Sequence, residues 1–275
     1  MRMGVIGTGN MGVILTEALI EAGTFAPSNV TVTNRTLAKA FNLQKWHPGM
    51  QVADCTEKLV KASDILFICV KPAEFHSVVE DMVHHIIPSQ CVVSITSPIS
   101  VKQLEHILPC SCARFIPSIT NRALSGISLL TFGEGCAPHW KQHITGFASS
   151  ISNPVEINNE ITRVASDIVS CGPAFFSFIA RAFIDGACHA TVIDEKTATI
   201  LTEKMLIGLG DLLRKEIFTL PALQEKVCVK GGITGEGIKV LEAGLGDVFY
   251  QLFLATQEKF AEDLEKIEGQ FGTSY

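Results

Sequence analysis

The sequence predicts a doubly wound, parallel α/β domain followed by an all-α domain. Three observations carry this. Short, almost wholly apolar stretches alternate with helix-length amphipathic segments through residues 1–157. A Gly-x-Gly-x-x-Gly motif stands at the first strand-to-helix junction. From 158 onward strand signals stop and long helical periods replace them.

The elements follow in order. "MGVIG" (3–7) reads as a first strand, and an amphipathic run from Met11 to Ala22 as its helix. "VTVT" (30–33) is followed by a helix from near Thr36. "DILFICV" (64–70) precedes a helix from Ala73 to His85, and "CVVSI" (91–95) a shorter one over 100–107. "ARFIP" (113–117) and "GISLLTF" (126–132) complete the strands. They are apolar on both faces, as a sheet covered by helices on both sides requires. "NPVEINN" (153–159) is polar and turn-rich, and sets the expected boundary between domains 1–157 and 158–275. Helical periods then run over 159–190, 194–215 and 246–268. Gly172–Pro173 inside the first of them predicts a kink or break, because proline removes a helical donor. A helical domain this lean cannot bury its apolar stripes alone, so a homodimer, or a higher multiple of dimers, is expected.

Composition narrows the function. Of 275 residues 47% are hydrophobic and 18% charged, with a net charge of −6, so no basic stripe invites nucleic acid. Apolar runs such as "ILFICV" (65–70) are strand-length, so no membrane span is expected. The first strand begins without a preceding signal-type segment, and a cytoplasmic protein is expected. Nine cysteines, an odd number without a C-x-x-C pair, read as buried thiols in a reducing compartment. His139 and His143 stand four apart with nothing to complete a metal site, so no metal is expected.

"GVIGTGNMG" carries the main chemical signal. Gly7 permits a tight turn, Gly9 lets the backbone approach a pyrophosphate, and Gly12 allows close strand–helix packing. Thr8, Asn10 and Met11 fill the loop and the helix start, where backbone N–H groups favour an anion. A dinucleotide is the expected ligand. An NAD site usually ends its second strand with an acidic residue. Here Asn34, Arg35 and Thr36 stand instead, and a guanidinium suits a 2′-phosphate that a carboxylate would repel. NADP(H) is therefore expected ahead of NAD(H). Val70, Lys71 and Pro72 end one strand, and Thr96 in "SITSP" ends the next. In a doubly wound sheet both would lie beside the cofactor.

A second glycine-rich helix start lies far downstream, in "VCVKGGITGEGIKVLEAG" (227–244). Its amides are suited to an anion, with Lys230 beside them. The simpler alternative is structural, with Thr234 as a helix N-cap.

"GVIGTGNMG", "TNRT", "VKP", "SITSPISVKQLE", "CGPAFF" and "GGITGEGIKVLEAG" together resemble pyrroline-5-carboxylate reductases over nearly the whole chain. The resemblance implies a Rossmann domain, a helical dimerisation domain and hydride transfer from NAD(P)H to C5 of a cyclic imine acid, its small-molecule substrate. It also implies that Gly231, Gly232 and Ile233 hold the substrate carboxylate with neighbouring Lys230, while the Thr234 hydroxyl reaches the ring nitrogen. No catalytic triad or carboxylate pair is needed, since a protonated imine is already electrophilic and chiefly has to be oriented. The chain departs from the family pattern in several places. Cys228, Val229 and Lys230 stand where serines and a proline are usual, Ser118–Ile119–Thr120 replace Asn-Thr-Pro, and Val169–Ser170–Cys171 replace Ser-Gly-Ser. The substrate is thus pyrroline-5-carboxylate or a related imine acid. The alternative is an NADP-binding regulatory dimer with little or no turnover. A β-hydroxyacid dehydrogenase would need a lysine on the helix after the sheet domain, and 159–190 has none.

Overall fold

The computed structural model describes residues 1–271. The last four residues of the expected 158–275 domain lie outside them. One sheet of eight strands is ordered β3-β2-β1-β4-β5-β6-β7-β8. The first five strands are β1 (Met3–Ile6), β2 (Val30–Thr33), β3 (Gln51–Val52), β4 (Ile65–Ile68) and β5 (Cys91–Ser94). β6 (Ser111–Ile116), β7 (Ile127–Phe132) and β8 (Asn153–Glu156) complete it. All neighbours are parallel except β6 and β7. The helices between them are α1 (Asn10–Glu21), α2 (Leu37–Trp46), α3 (Thr56–Lys61), α4 (Pro72–Val83), α5 (Val101–Ile107) and α6 (Pro138–Ile151).

Alternation along the strands splits the core into two layers. Met3, Val5, Val32, Phe67 and Phe115 face α1 and α6, meeting Leu15, Leu19, Trp140 and Ile144. Ile6, Leu66, Ile68 and Val92 face the other way, meeting Leu59, Phe75, Met82 and Leu104. This is why the strands read as continuous apolar runs. Two strands escaped the sequence reading. β3 is too short to show a period, and β8 is the "NPVE" expected to be a turn-rich boundary. Pro154 is tolerated there because β8 is the sheet's edge, where a missing N–H costs no ladder bond. α3 and α6 were passed over as well.

The chain divides into two compact units, Met1–Pro173 with the described residues from Ala255, and Ala174–Leu254. This differs from the 157/158 boundary, and packing gives the reason. α7 (Thr162–Ser166) and the π-helical turn Asp167–Cys171 are helical but fastened to the sheet. Buried Arg114 on β6 donates to the Thr162 hydroxyl, and the Ser170 hydroxyl donates to the Pro117 carbonyl at 2.9 Å. The kink expected at Gly172–Pro173 is this π turn, leading into α8 (Gly172–Ala190). Pro173 has no N–H to offer the carbonyl of Val169, four residues back. The Ser118 hydroxyl takes that place, donating to the Val169 carbonyl at 2.6 Å. α12 (Val248–Phe271) returns to the first unit, where Ile267 joins the second core layer.

The second unit holds α8 from Ala174, α9 (Glu195–Arg214), α10 (Leu220–Val227), α11 (Ile233–Leu245) and the start of α12. α10 went unread, although Thr219 caps its start and Pro221 stands in its first turn. Apolar side chains here stay exposed: Phe176, Phe178 and Phe183 on α8, Leu201 and Met205 on α9, and Val240 on α11. The helix Asn159–Ala190 is also, by length and composition alone, apolar enough to cross a membrane, with a mean hydropathy of 1.4 in its best window. Polar residues scattered along it keep any unbroken apolar run short.

Candidate cofactor groove and glycine-rich helix start

The three motif glycines do different work, and the geometry separates them. Gly7 is left-handed at φ +101°, its N–H donating to the Thr33 carbonyl at 2.9 Å. A Cβ there would meet the Cys69 carbonyl oxygen at 2.5 Å, and one on Gly12 the Gly7 oxygen at 2.1 Å. A Cβ on Gly9 would meet nothing within 4 Å. Gly7 and Gly12 are therefore required by the fold itself, while Gly9 keeps a space open in front of α1. Gly9 is the N-cap of α1 and supplies no capping side chain. The first amides of that helix, beginning at Asn10 and Met11, thus have no side-chain acceptor from the cap. The buried Thr8 hydroxyl likewise has no partner.

The end of β2 is tied to this loop. The Thr8 N–H donates to Asn34 Oδ1 at 3.0 Å, and Asn34 Nδ2 donates to the Thr36 carbonyl at 3.0 Å. Asn34 therefore shapes the loop, and Arg35 is left as the exposed, projecting group. Arg35 pairs with Glu74 of α4 at 2.7 Å. Gly7, Gly9, Asn34, Arg35, Thr36 and Lys71 all line one cavity of about 200 Å³. A neighbouring cavity of about 520 Å³ continues along Asp54, Thr56, Ser77 and Asp81. Lys39, on the first cavity's wall, was missed. Its spacing of four from Arg35 on a helix start was the available signal.

Val70 and Thr96 meet at the carboxyl ends of β4 and β5, the Thr96 hydroxyl lying 3.5 Å from the Val70 carbonyl it donates to. Lys71 is the N-cap of α4 and Pro72 its first residue, where proline's missing N–H costs nothing. Pro72 and Thr96 border a further cavity of about 400 Å³, whose far wall comes from Arg163, Asp167 and α12. Sequence reasoning missed Arg163, Asp167 and the fully buried Arg114. Among the described residues no cluster of three or more His, Cys, Asp or Glu could hold a metal.

In the second unit, Gly231 is left-handed at φ +76° and Gly232 is the N-cap of α11. The Gly232 N–H donates to the Val229 carbonyl at 2.9 Å, closing a tight turn. Thr234 is thus not the cap. It is exposed in the first turn, after an Ile233 that is 93% exposed. Lys230 is exposed beside it.

Two family models match the chain. "Pyrroline-5-carboxylate reductase dimerisation" covers residues 159–263, and "NADP oxidoreductase coenzyme F420-dependent" covers 2–98. The chain is 48% identical to ComE operon protein 4 of Bacillus subtilis (strain 168), over 98% of this chain and 99% of that one. It is 27% identical to pyrroline-5-carboxylate reductase 3 of the same organism, again over 98% and 99%. The chain belongs to the pyrroline-5-carboxylate reductase family. Residues 159–263 therefore form the family's dimerisation domain, and the apolar side chains exposed on α8, α9 and α11 lie within it; the chain is a member of an NAD(P)-dependent oxidoreductase family. Solved structures show the same fold. The pyrroline carboxylate reductase of Plasmodium falciparum, with NADP bound, superposes with a TM-score of 0.83 at 19% identity, covering 97% of this chain and 98% of that one. The Coxiella burnetii enzyme superposes at 0.80 with 20% identity, covering 98% of each.

Proposed function

We propose that the chain is an NADPH-dependent reductase of pyrroline-5-carboxylate or a related cyclic imine acid, working as a cytoplasmic homodimer. One observation carries the reading: a single chain of this family holds both an open-fronted glycine loop and a second, unburied glycine helix start. The first suits a pyrophosphate and the second a carboxylate. NADPH, when bound, supplies the hydride that the imine carbon receives. Gly7, Gly9 and the start of α1 would hold its diphosphate, and Val70, Pro72 and Thr96 would border its nicotinamide. The amide of Ile233 at the start of α11, in a turn shaped by Gly231 and Gly232 and assisted by Lys230, would orient the substrate's carboxylate, and Thr234 would hydrogen-bond the ring nitrogen. Orientation is most of what a protonated imine needs.

The test is NADPH oxidation in the presence of pyrroline-5-carboxylate, followed by absorbance. Turnover on the order of 10 per second supports the reductase. NADPH binding without oxidation would favour the second reading, a regulatory NADP-binding dimer linked to competence. That reading draws on the 48% identity to ComE operon protein 4 and on Cys228, Val229 and Lys230.

Preference for NADPH over NADH rests on Arg35 and Lys39. Glu74 works against it, because its carboxylate competes for Arg35 and would repel a 2′-phosphate. Glu74→Gln should therefore tighten NADPH about twofold to fivefold, an exposed pair being worth up to about 1 kcal/mol. NADH affinity should hold, and fluorescence titration of both cofactors checks this. A parallel change in the two would dismiss Glu74 as a selectivity element.

A further inference from the structure

The sheet carries a second set of reactive groups at the end away from the cofactor groove. Cys91 opens β5, at the amino ends of the parallel strands, whereas Thr96 lies past the carboxyl end of the same strand. In the register of β5 with β6, Cys91 stands opposite Ser111. The Ser111 hydroxyl accepts from the Ala137 N–H at 3.1 Å, and Ala137 is the N-cap of α6. That bond brings Cys136, the residue before the cap, onto β5. Cys91 and Cys136 belong to one core layer, at 0% and 4% exposed, and their thiols lie within hydrogen-bonding reach of each other. All nine cysteines are free thiols. The two in this pair are not equivalent. Cys136 precedes a 14-residue helix, and a helix N-terminus favours a thiolate. Donation from Cys91 holds the Cys136 thiol below its ordinary value against the effect of burial, and Lys141, in the first turn of α6, adds to the lowering. The same contact, together with burial, pushes the Cys91 thiol up, so that Cys91 keeps its proton.

We propose that Cys136 and Cys91 are a peroxide-responsive dithiol, whose oxidation to a disulfide fastens the start of α6 to β5. The Cys136 thiolate attacks one oxygen of hydrogen peroxide and the O–O bond breaks. The hydroxide that leaves takes up the proton Cys136 had lost, giving water and a Cys136 sulfenic acid. The Cys91 sulfur then attacks the Cys136 sulfur and the S–O bond breaks. The departing hydroxide takes the Cys91 proton as a second water. The two sulfurs together give up two electrons, and one peroxide becomes two waters. Closing the chain between residues 91 and 136 restricts the unfolded state across β5, α5, β6 and β7, and so stabilises the folded one. The link lies at the opposite strand ends from Gly9 and Thr96, so it leaves the candidate cofactor groove alone. Cys110 and Cys112 are also in reach of each other. Two residues apart on extended chain, their Cα atoms are separated by about 6.6 Å, near the limit that a disulfide spans. A bond between them would also join no second element to β6.

Peptide mapping of the native full chain tests it. The reduced protein is treated with hydrogen peroxide, its remaining thiols are alkylated, and it is digested without reductant for mass spectrometry. A Cys91–Cys136 linked peptide should be the main cross-link and should vanish on treatment with dithiothreitol. The oxidised protein should melt about 5 °C or more above the reduced one. Cys136→Ser should remove both the link and the rise in melting temperature. Cys91→Ser should leave a Cys136 sulfenic acid that dimedone traps. Cys55→Ser, which removes an exposed thiol, should change neither result. Four results overturn the proposal: no 91–136 link at a peroxide concentration that oxidises Cys55, a Cys110–Cys112 link in its place, a link formed equally well in urea-unfolded protein, or a link without a higher melting temperature. The map of the wild-type chain decides the pairing even if a serine variant fails to fold. No turnover is measured, so the result stands apart from the reductase reading.

Discussion

Gly9→Ala and Gly12→Ala are expected to damage the protein in opposite ways. A methyl on Gly12 would sit 2.1 Å from the Gly7 carbonyl oxygen, which is backbone and cannot swing aside. Either β1 or α1 must move, and overpacking of this kind costs about 1–3 kcal/mol or more. The cofactor-free protein should melt several degrees lower. At Gly9 a methyl meets nothing within 4 Å, and the backbone, at φ −79° and ψ −170°, suits alanine. The cofactor-free protein should melt as the wild type does. Yet that methyl fills the space in front of α1 where a pyrophosphate would approach, and NADPH affinity should fall by about 100-fold, close to 3 kcal/mol. Thermal unfolding and NADPH titration of both variants separate the effects. A Gly9→Ala protein that binds NADPH normally would remove the pyrophosphate from this loop.

Thr234→Ala should reduce kcat/KM for pyrroline-5-carboxylate by about 100-fold, the usual cost of one donor lost from a reacting centre. NADPH affinity and melting temperature should not change, because Thr234 is exposed and Gly232, not Thr234, caps α11. Thr234→Ser, which keeps the hydroxyl, should recover most of the rate. Steady-state kinetics of the three proteins decide it. An alanine variant as fast as wild type would leave Thr234 a surface residue, and one that also loses NADPH would point to a structural fault.

Much of the candidate cofactor groove's shape was legible in the chain. Glycine spacing, strand period and helix start are all set within about 30 residues, and the constraint on each is local. The alternation of Val5 with Ile6, or Phe67 with Ile68, already states which side of the sheet each side chain meets. What was not legible depends on partners distant in sequence. Glu74 meets Arg35 only because α4 follows the strand next to β1, and Arg163 gains its fixed geometry only when α12 comes back to the first unit. β8 was misread because its Asn-Pro start is turn-like by composition, while its pairing with β7 is a fact about the sheet.

The sequence by itself determined the α/β class, the order of strands and helices, the glycine loop, and the helix start at Gly231–Thr234. These follow from backbone conformations that few residues permit and from side-chain periods that a chain carries along its length. Only the tertiary structure decided where the compact units divide, which cations stand beside which carboxylates, and why the helix at Pro173 widens into a π turn. Ser118 can satisfy the Val169 carbonyl only after β6 and that turn are side by side. Burial, and the need to pair every polar group within it, is a property of the assembled layers rather than of any segment.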